Sequence, residues 1–118
     1  MAKGLIVDDS KFMRTIIRKT LESGGHEIVA EADNGADGIN SFKELRPDFV
    51  TMDITMGGKD GIKAVMEIID HDPEAKVVVV SALNENTIKM NEASINATAY
   101  ITKPFSEEQL LEVIEKVL

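Results

Sequence analysis

An α/β fold is what this sequence predicts: a doubly wound, five-stranded parallel sheet with five helices, arranged as a three-layer sandwich. Three observations carry that prediction. Short apolar runs alternate with segments of helical period along the 118 residues. The run Val77-Val78-Val79-Val80 has the β-branched composition of a strand covered on both faces. Four runs end on polar residues: Gly4-Leu5-Ile6-Val7 on Asp8-Asp9, Phe49-Val50-Thr51-Met52 on Asp53, the four valines on Ser81, and Tyr100-Ile101-Thr102 on Lys103. In parallel strands those polar groups share the carboxyl edge, where open α/β sheets bind ligands. Right-handed crossovers then place helices on both faces.

The elements follow in order. Residues 3–7 form the first strand, and Phe12, Met13, Ile16, Ile17 and Leu21 recur at helical spacing up to Gly24-Gly25. Ile28-Val29-Ala30 is a weaker strand. After Asn34-Gly35 a helix carries Ile39, Phe42 and Leu45 and closes before Pro47. The third strand covers 49–53. Gly57, Gly58 and Gly61 punctuate the loop beyond it, and Ile62, Val65, Met66, Ile68 and Ile69 mark a helix stopped near Asp72-Pro73. Asn84 to Ile95 is the poorest helix, with Asn96 suited to a left-handed terminal residue. The fifth strand spans 99–102. Ser106 to Gln109 reads as a capping box opening a last helix, whose Leu110, Leu111, Val113, Ile114, Val117 and Leu118 face the core.

Bulk properties narrow the function. The length suits one domain over 1–118. Hydrophobic content of 43% and charged content of 29% are those of ordinary globular proteins, and no run is long enough to span a bilayer. Met1-Ala2-Lys3 leads straight into the first strand, so no export leader and a cytoplasmic location are expected. The absence of cysteine excludes disulfides and thiolate chemistry, and His26 and His71 are too isolated to suggest a metal centre. A formal charge of -8 argues against nucleic acid or anionic membrane as a partner and favours a protein.

The polar edge points to chemistry. Asp53 alone could be a turn former, and Asp8-Asp9 alone could be a helix cap. Together they are what a hard, oxygen-loving ion such as Mg²⁺ requires, because clustered carboxylates repel one another without a cation. Lys103 precedes Pro104, which favours extended backbone, and its ammonium can pair with a carboxylate or a phosphoryl oxygen. Ser81 adds a hydroxyl donor.

Asp8-Asp9, Asp53 with Met56 and Asp60-Gly61, Ser81-Ala82, and Tyr100-Ile101-Thr102-Lys103-Pro104-Phe105 form a combination specific enough to name a family. Over its whole length the chain resembles the receiver domains of two-component response regulators, in their single-domain, CheY-like form. The resemblance implies a flavodoxin-like strand order of 2-1-3-4-5. It implies that Asp53 is the phosphoacceptor, and that Asp8, Asp9, Asp53 and the backbone carbonyl of Thr55 hold Mg²⁺ or Mn²⁺. Lys103 and Ser81 would contact the phosphoryl group. Ser81 and Tyr100 would be the switch pair, and Lys103-Pro104 a candidate cis peptide. The implied role is regulatory rather than enzymatic, beyond self-phosphorylation from a phosphodonor and slow autodephosphorylation. A sensor histidine kinase would donate the phosphoryl group. A downstream protein, such as a flagellar motor switch protein in chemotaxis, would read it, with the regulator itself a monomer.

Other functions use the same kind of sheet. A phosphorelay shuttle would pass phosphate on to a histidine phosphotransferase. An aspartyl-phosphate phosphatase keeps a second Asp two residues after the nucleophile, where Thr55 stands here. A flavin module would want a Ser/Thr/Gly-rich loop after the first strand, whereas Asp8-Asp9 repel a flavin phosphate. Two departures from the receiver pattern stand out, a glycine pair after Met56 and Asn96 in place of the usual glycine before the fifth strand. Gly57-Gly58 replaces the proline usual after Met56, adding about 1 kcal/mol to the cost of ordering the loop around a metal. Leu83, two residues after Ser81, flanks the path of hydrolytic water and is expected to slow loss of the phosphoryl group.

Overall fold

The computed structural model describes residues 2–55, 60–82 and 97–118. Five strands, β1 (Lys3–Val7), β2 (Glu27–Ala32), β3 (Phe49–Asp53), β4 (Val77–Ser81) and β5 (Ala99–Thr102), form one parallel sheet in the order β2-β1-β3-β4-β5. The direction of winding reverses between β1 and β3, so their carboxyl ends flank the crevice where a doubly wound sheet binds its ligand. Helices α1 (Lys11–Ser23), α2 (Gly35–Leu45), α3 (Asp60–His71) and α4 (Glu107–Val117) cover the sheet. The helix expected between β4 and β5, together with Leu83, Asn96, Met56 and Gly57-Gly58, lies outside the described residues.

Strand alternation divides the core in two. Leu5, Val7, Val50, Met52, Val77 and Val79 pack with Phe42 of α2 and Ala64, Val65 and Ile68 of α3. Ile6, Phe49, Val78, Val80 and Ile101 pack on the other face with Ile17 and Leu21 of α1 and Leu110 and Ile114 of α4. The valines of β4 thus alternate between two cores, which is why that strand has no polar position before Ser81.

Helix ends match local chemistry. Ser10 caps α1 by accepting from the Met13 amide at 3.2 Å, Asn34 caps α2 by accepting from the Asp37 amide at 2.8 Å, and Ser106 with Gln109 closes a reciprocal capping box on α4. Four residues assigned to apolar faces are instead exposed: Phe12 at 75%, Leu45 at 44%, Met66 at 42% and Leu118 at 50%. The buried stripe of α1 runs through Ile17, Thr20 and Leu21, and that of α3 through Gly61, Ala64, Val65 and Ile68, so Phe12 and Met66 fall to one side of it. Leu45 and Leu118 stand at helix ends.

His26 is buried and takes part in packing. Its ring stands edge-on to Phe49 with centroids 5.7 Å apart, and its Nε2 lies 3.2 Å from Glu115 Oε1, linking the start of β2 to α4. Among the described residues, no helix is long and apolar enough to cross a membrane.

Candidate functional site

Three strand ends build the site. Register pairs Val7 with Met52 and Asp53 with Val80, so Asp8, Asp53 and Ser81 emerge side by side from β1, β3 and β4. Ser81 is fully buried, and its carbonyl accepts from the Lys103 amide at 2.7 Å, which seats the end of β5 against β4. The Lys103-Pro104 peptide is cis.

Asp8 and Asp53 are buried and divide their oxygens alike. Asp8 Oδ1 accepts the Ser10 amide at 2.8 Å, while Asp53 Oδ1 accepts the Thr55 amide at 2.8 Å and also the Thr55 hydroxyl. Each Oδ2 remains, and Lys103 Nζ stands 3.4 Å from both. At that length the ammonium bridges the two charges more than it forms tight hydrogen bonds. Asp9 is exposed, yet it too offers a carboxylate oxygen, and one oxygen from each of Asp8, Asp9 and Asp53 lies within 4.8 Å of the others. This hard-oxygen donor set, with its loop geometry already fixed by backbone amides, fits a divalent cation of the Mg²⁺ type.

The helix-cap reading of Asp8-Asp9 is therefore displaced, since Ser10 does the capping. The turn reading of Asp53 holds for one oxygen only. The Thr55 hydroxyl was not among the expected groups, although a threonine two residues beyond an aspartate is a local signal for such a contact. Tyr100 is half-buried against the core face shared with α2 and α3, and it lines a surface cleft with Pro104, Gln109, Glu112 and Val113.

Burial raises the Asp8 carboxyl above its ordinary value of 3.8; the Ser10 amide lowers it, the Asp53 charge raises it again and Lys103 lowers it, for a net upward shift. The folded protein therefore binds this proton more tightly than the unfolded chain. Asp8 contributes stability fully below about pH 4, and that contribution is lost as pH climbs through the raised value. In EDTA, unfolding free energy should carry this downward component from pH 4 towards neutrality. A bound divalent cation should cancel it, adding about 2.7 kcal/mol at a hundred times its Kd. Thermal melts across pH, with and without MgCl₂, measure both effects.

The Response regulator receiver domain model matches residues 5–115. The chain belongs to the response regulator receiver domain family. This receiver is 44% identical to the chemotaxis protein CheY of Bacillus subtilis over 97% of its own length and 95% of that protein. It is 41% identical to CheY of Listeria monocytogenes, with 98% of each chain covered. Among solved structures, Vibrio cholerae CheY4 aligns with a TM-score of 0.90 at 27% identity, covering 100% of the receiver and 99% of that chain. TrrA of Thermotoga maritima, solved in complex with Mg²⁺ and beryllium fluoride, aligns at 0.89 and 30% identity over the full length of both.

Proposed function

We propose that this receiver takes a phosphoryl group from a phosphohistidine of a sensor histidine kinase onto Asp53, and so switches a protein-binding face in the control of chemotaxis. The observation that carries this reading is the pair of buried carboxylates, each pinned through Oδ1 by a backbone amide and each turning Oδ2 to Lys103. Asp8, Asp9, Asp53 and the Thr55 carbonyl would hold Mg²⁺ or Mn²⁺. When bound, the ion neutralises charge on the transferring group. That TrrA was solved in complex with Mg²⁺ and beryllium fluoride supports a divalent metal as the ligand.

A carboxylate oxygen of Asp53 attacks phosphorus in line, the phosphorus–nitrogen bond breaks, and the electron pair leaves on the imidazole. The amide and hydroxyl of Thr55 keep the carboxylate from rotating away, so positioning supplies much of the catalysis. Lys103, already between the two carboxylates, meets the incoming phosphoryl oxygens as a counter-charge. Phosphorylation takes the Asp53 side chain from about -1 towards -2 and adds acceptor oxygens, which draw on the Ser81 hydroxyl. Movement of Ser81 on β4 frees space for Tyr100 on the neighbouring β5, whose position beside Pro104, Glu112 and Val113 would change the face a downstream protein reads. A swing from 1:99 to 99:1 needs about 5.5 kcal/mol, more than one or two charge-assisted bonds give. Switching is therefore partial until the partner binds.

The relatives named as chemotaxis protein CheY support a role in chemotaxis; the same reading makes the receiver a monomeric, non-enzymatic cytoplasmic regulator with a flagellar motor switch protein as its target. No observation favours the shuttle or the phosphatase; a hydroxyl, not a second carboxylic acid, stands at Thr55. Incubation with acetyl phosphate and Mg²⁺ should add one phosphoryl group to the intact mass, and EDTA should prevent it. No mass gain, or a gain indifferent to EDTA, would sink the reading.

A further inference from the structure

Arg14 is a charged side chain of α1 that the function above leaves unused. Its Nη1 donates to the Asp8 backbone carbonyl at 2.7 Å, and its Nε donates to Glu31 Oε1 on β2 at 3.1 Å. The other Glu31 oxygen accepts from Arg18 Nε at 2.6 Å, and Arg18 also reaches Glu22 at 3.3 Å. Burial raises the Glu31 carboxyl, but the Arg18 and Arg14 guanidiniums outweigh it and hold the group below its ordinary value, so it stays charged. The Arg14 side chain is only 15% exposed, unlike a lysine or arginine that waves in solvent.

We infer that Arg14, braced by Glu31, is a positioning residue that fixes the Asp8–Asp9 peptide and thereby the metal-binding carboxylates. The Asp8 amide already donates to Ala32 O at 3.0 Å, and Asp8 Oδ1 is held by the Ser10 amide. The Asp8 carbonyl is a handle on the peptide plane that leads into Asp9. Arg14 holds it, and the planar guanidinium can do so while bonding Glu31, which an ammonium does not reproduce. An outer contact of this kind sets the orientation of metal ligands without touching the metal, and its loss typically weakens metal affinity 10- to 100-fold.

This inference rests on the proposed metal site, and direct Mg²⁺ calorimetry separates the two. Arg14→Met should raise the Mg²⁺ Kd about tenfold. Arg14→Lys, which keeps the charge, and Glu31→Gln should also weaken binding. Lys116→Met, which removes a cation from the exposed Lys116–Glu112 pair on α4, should leave the Kd unchanged. If the charge of Arg14 were what mattered, its removal beside three carboxylates would tighten Mg²⁺ binding and Arg14→Lys would be silent. That pattern, or an unchanged Kd in Arg14→Met, overturns the inference. Amide hydrogen exchange in EDTA supplies a readout free of metal: the Ser10 amide should exchange faster in Arg14→Met while the β4 amides keep their wild-type rates. Equal acceleration in both places marks a general loss of stability and also overturns it. If wild-type protein binds no Mg²⁺, the metal site itself fails, and the Ser10 exchange alone decides whether Arg14 orders this turn.

Discussion

Asp53→Asn should take up no phosphoryl group from acetyl phosphate in Mg²⁺, with labelling at background by intact mass while the fold is kept. Asparagine preserves the oxygen that accepts the Thr55 amide, so the end of β3 has no reason to move. Two electrostatic changes oppose each other. Loss of the Asp53 charge relieves repulsion with the buried Asp8, and it deprives Lys103 of one of its two partners. Each is worth about 3 to 5 kcal/mol at an effective dielectric near 20, with opposite signs, so the metal-free melting temperature should move little. The gain on adding Mg²⁺ should shrink sharply, because one of three carboxylates has gone. A variant that still gained the phosphoryl mass would move the acceptor elsewhere.

Gly61→Ala should be the most damaging small substitution near the site. A Cβ at Gly61 would overlap the Asp53 carbonyl oxygen and come within 2.6 Å of the Ile54 Cα. Both are backbone atoms, so no side chain can rotate out of the way, and the start of α3 must lift off the end of β3. Alanine improves helix propensity by about 1 kcal/mol, but relieving overpacking of this kind costs about 1–3 kcal/mol and occasionally more. Because main chain is involved on both sides, the steric cost should win, for a net loss of about 2 kcal/mol in a urea titration. Slower labelling should accompany it, since the displaced residue is Asp53 itself. Gly25→Ala is the control. Its φ of +88° strains an alanine, but open space surrounds it, so stability should fall modestly without a change in labelling.

Legibility of the sequence followed the range of the interactions involved. The four valines of β4 and the strand-ending Asp8, Asp53 and Lys103 were readable because a parallel sheet turns local pattern directly into a shared edge. Phe12 and Met66 were misplaced because both sit next to true core positions, and periodicity alone sets a helix face no more finely than one residue. The strand order came from family resemblance; nothing local distinguishes β2 beside β1 from β4 beside β1. Arg14 and Glu31 were invisible for a different reason. They are seventeen residues apart, and surface arginines and glutamates are common, so only the folded pairing shows that one of them reaches the Asp8 carbonyl.

The bridge made by Lys103 spans 95 residues to Asp8 and 50 to Asp53. A chain emerging from the ribosome amino end first exposes both aspartates long before it acquires the lysine, and β5 follows the other four described strands. Balance of charge in the cluster is thus tied to synthesis of residue 103. A product stalled before residue 103 would present the acidic residues without that counter-charge.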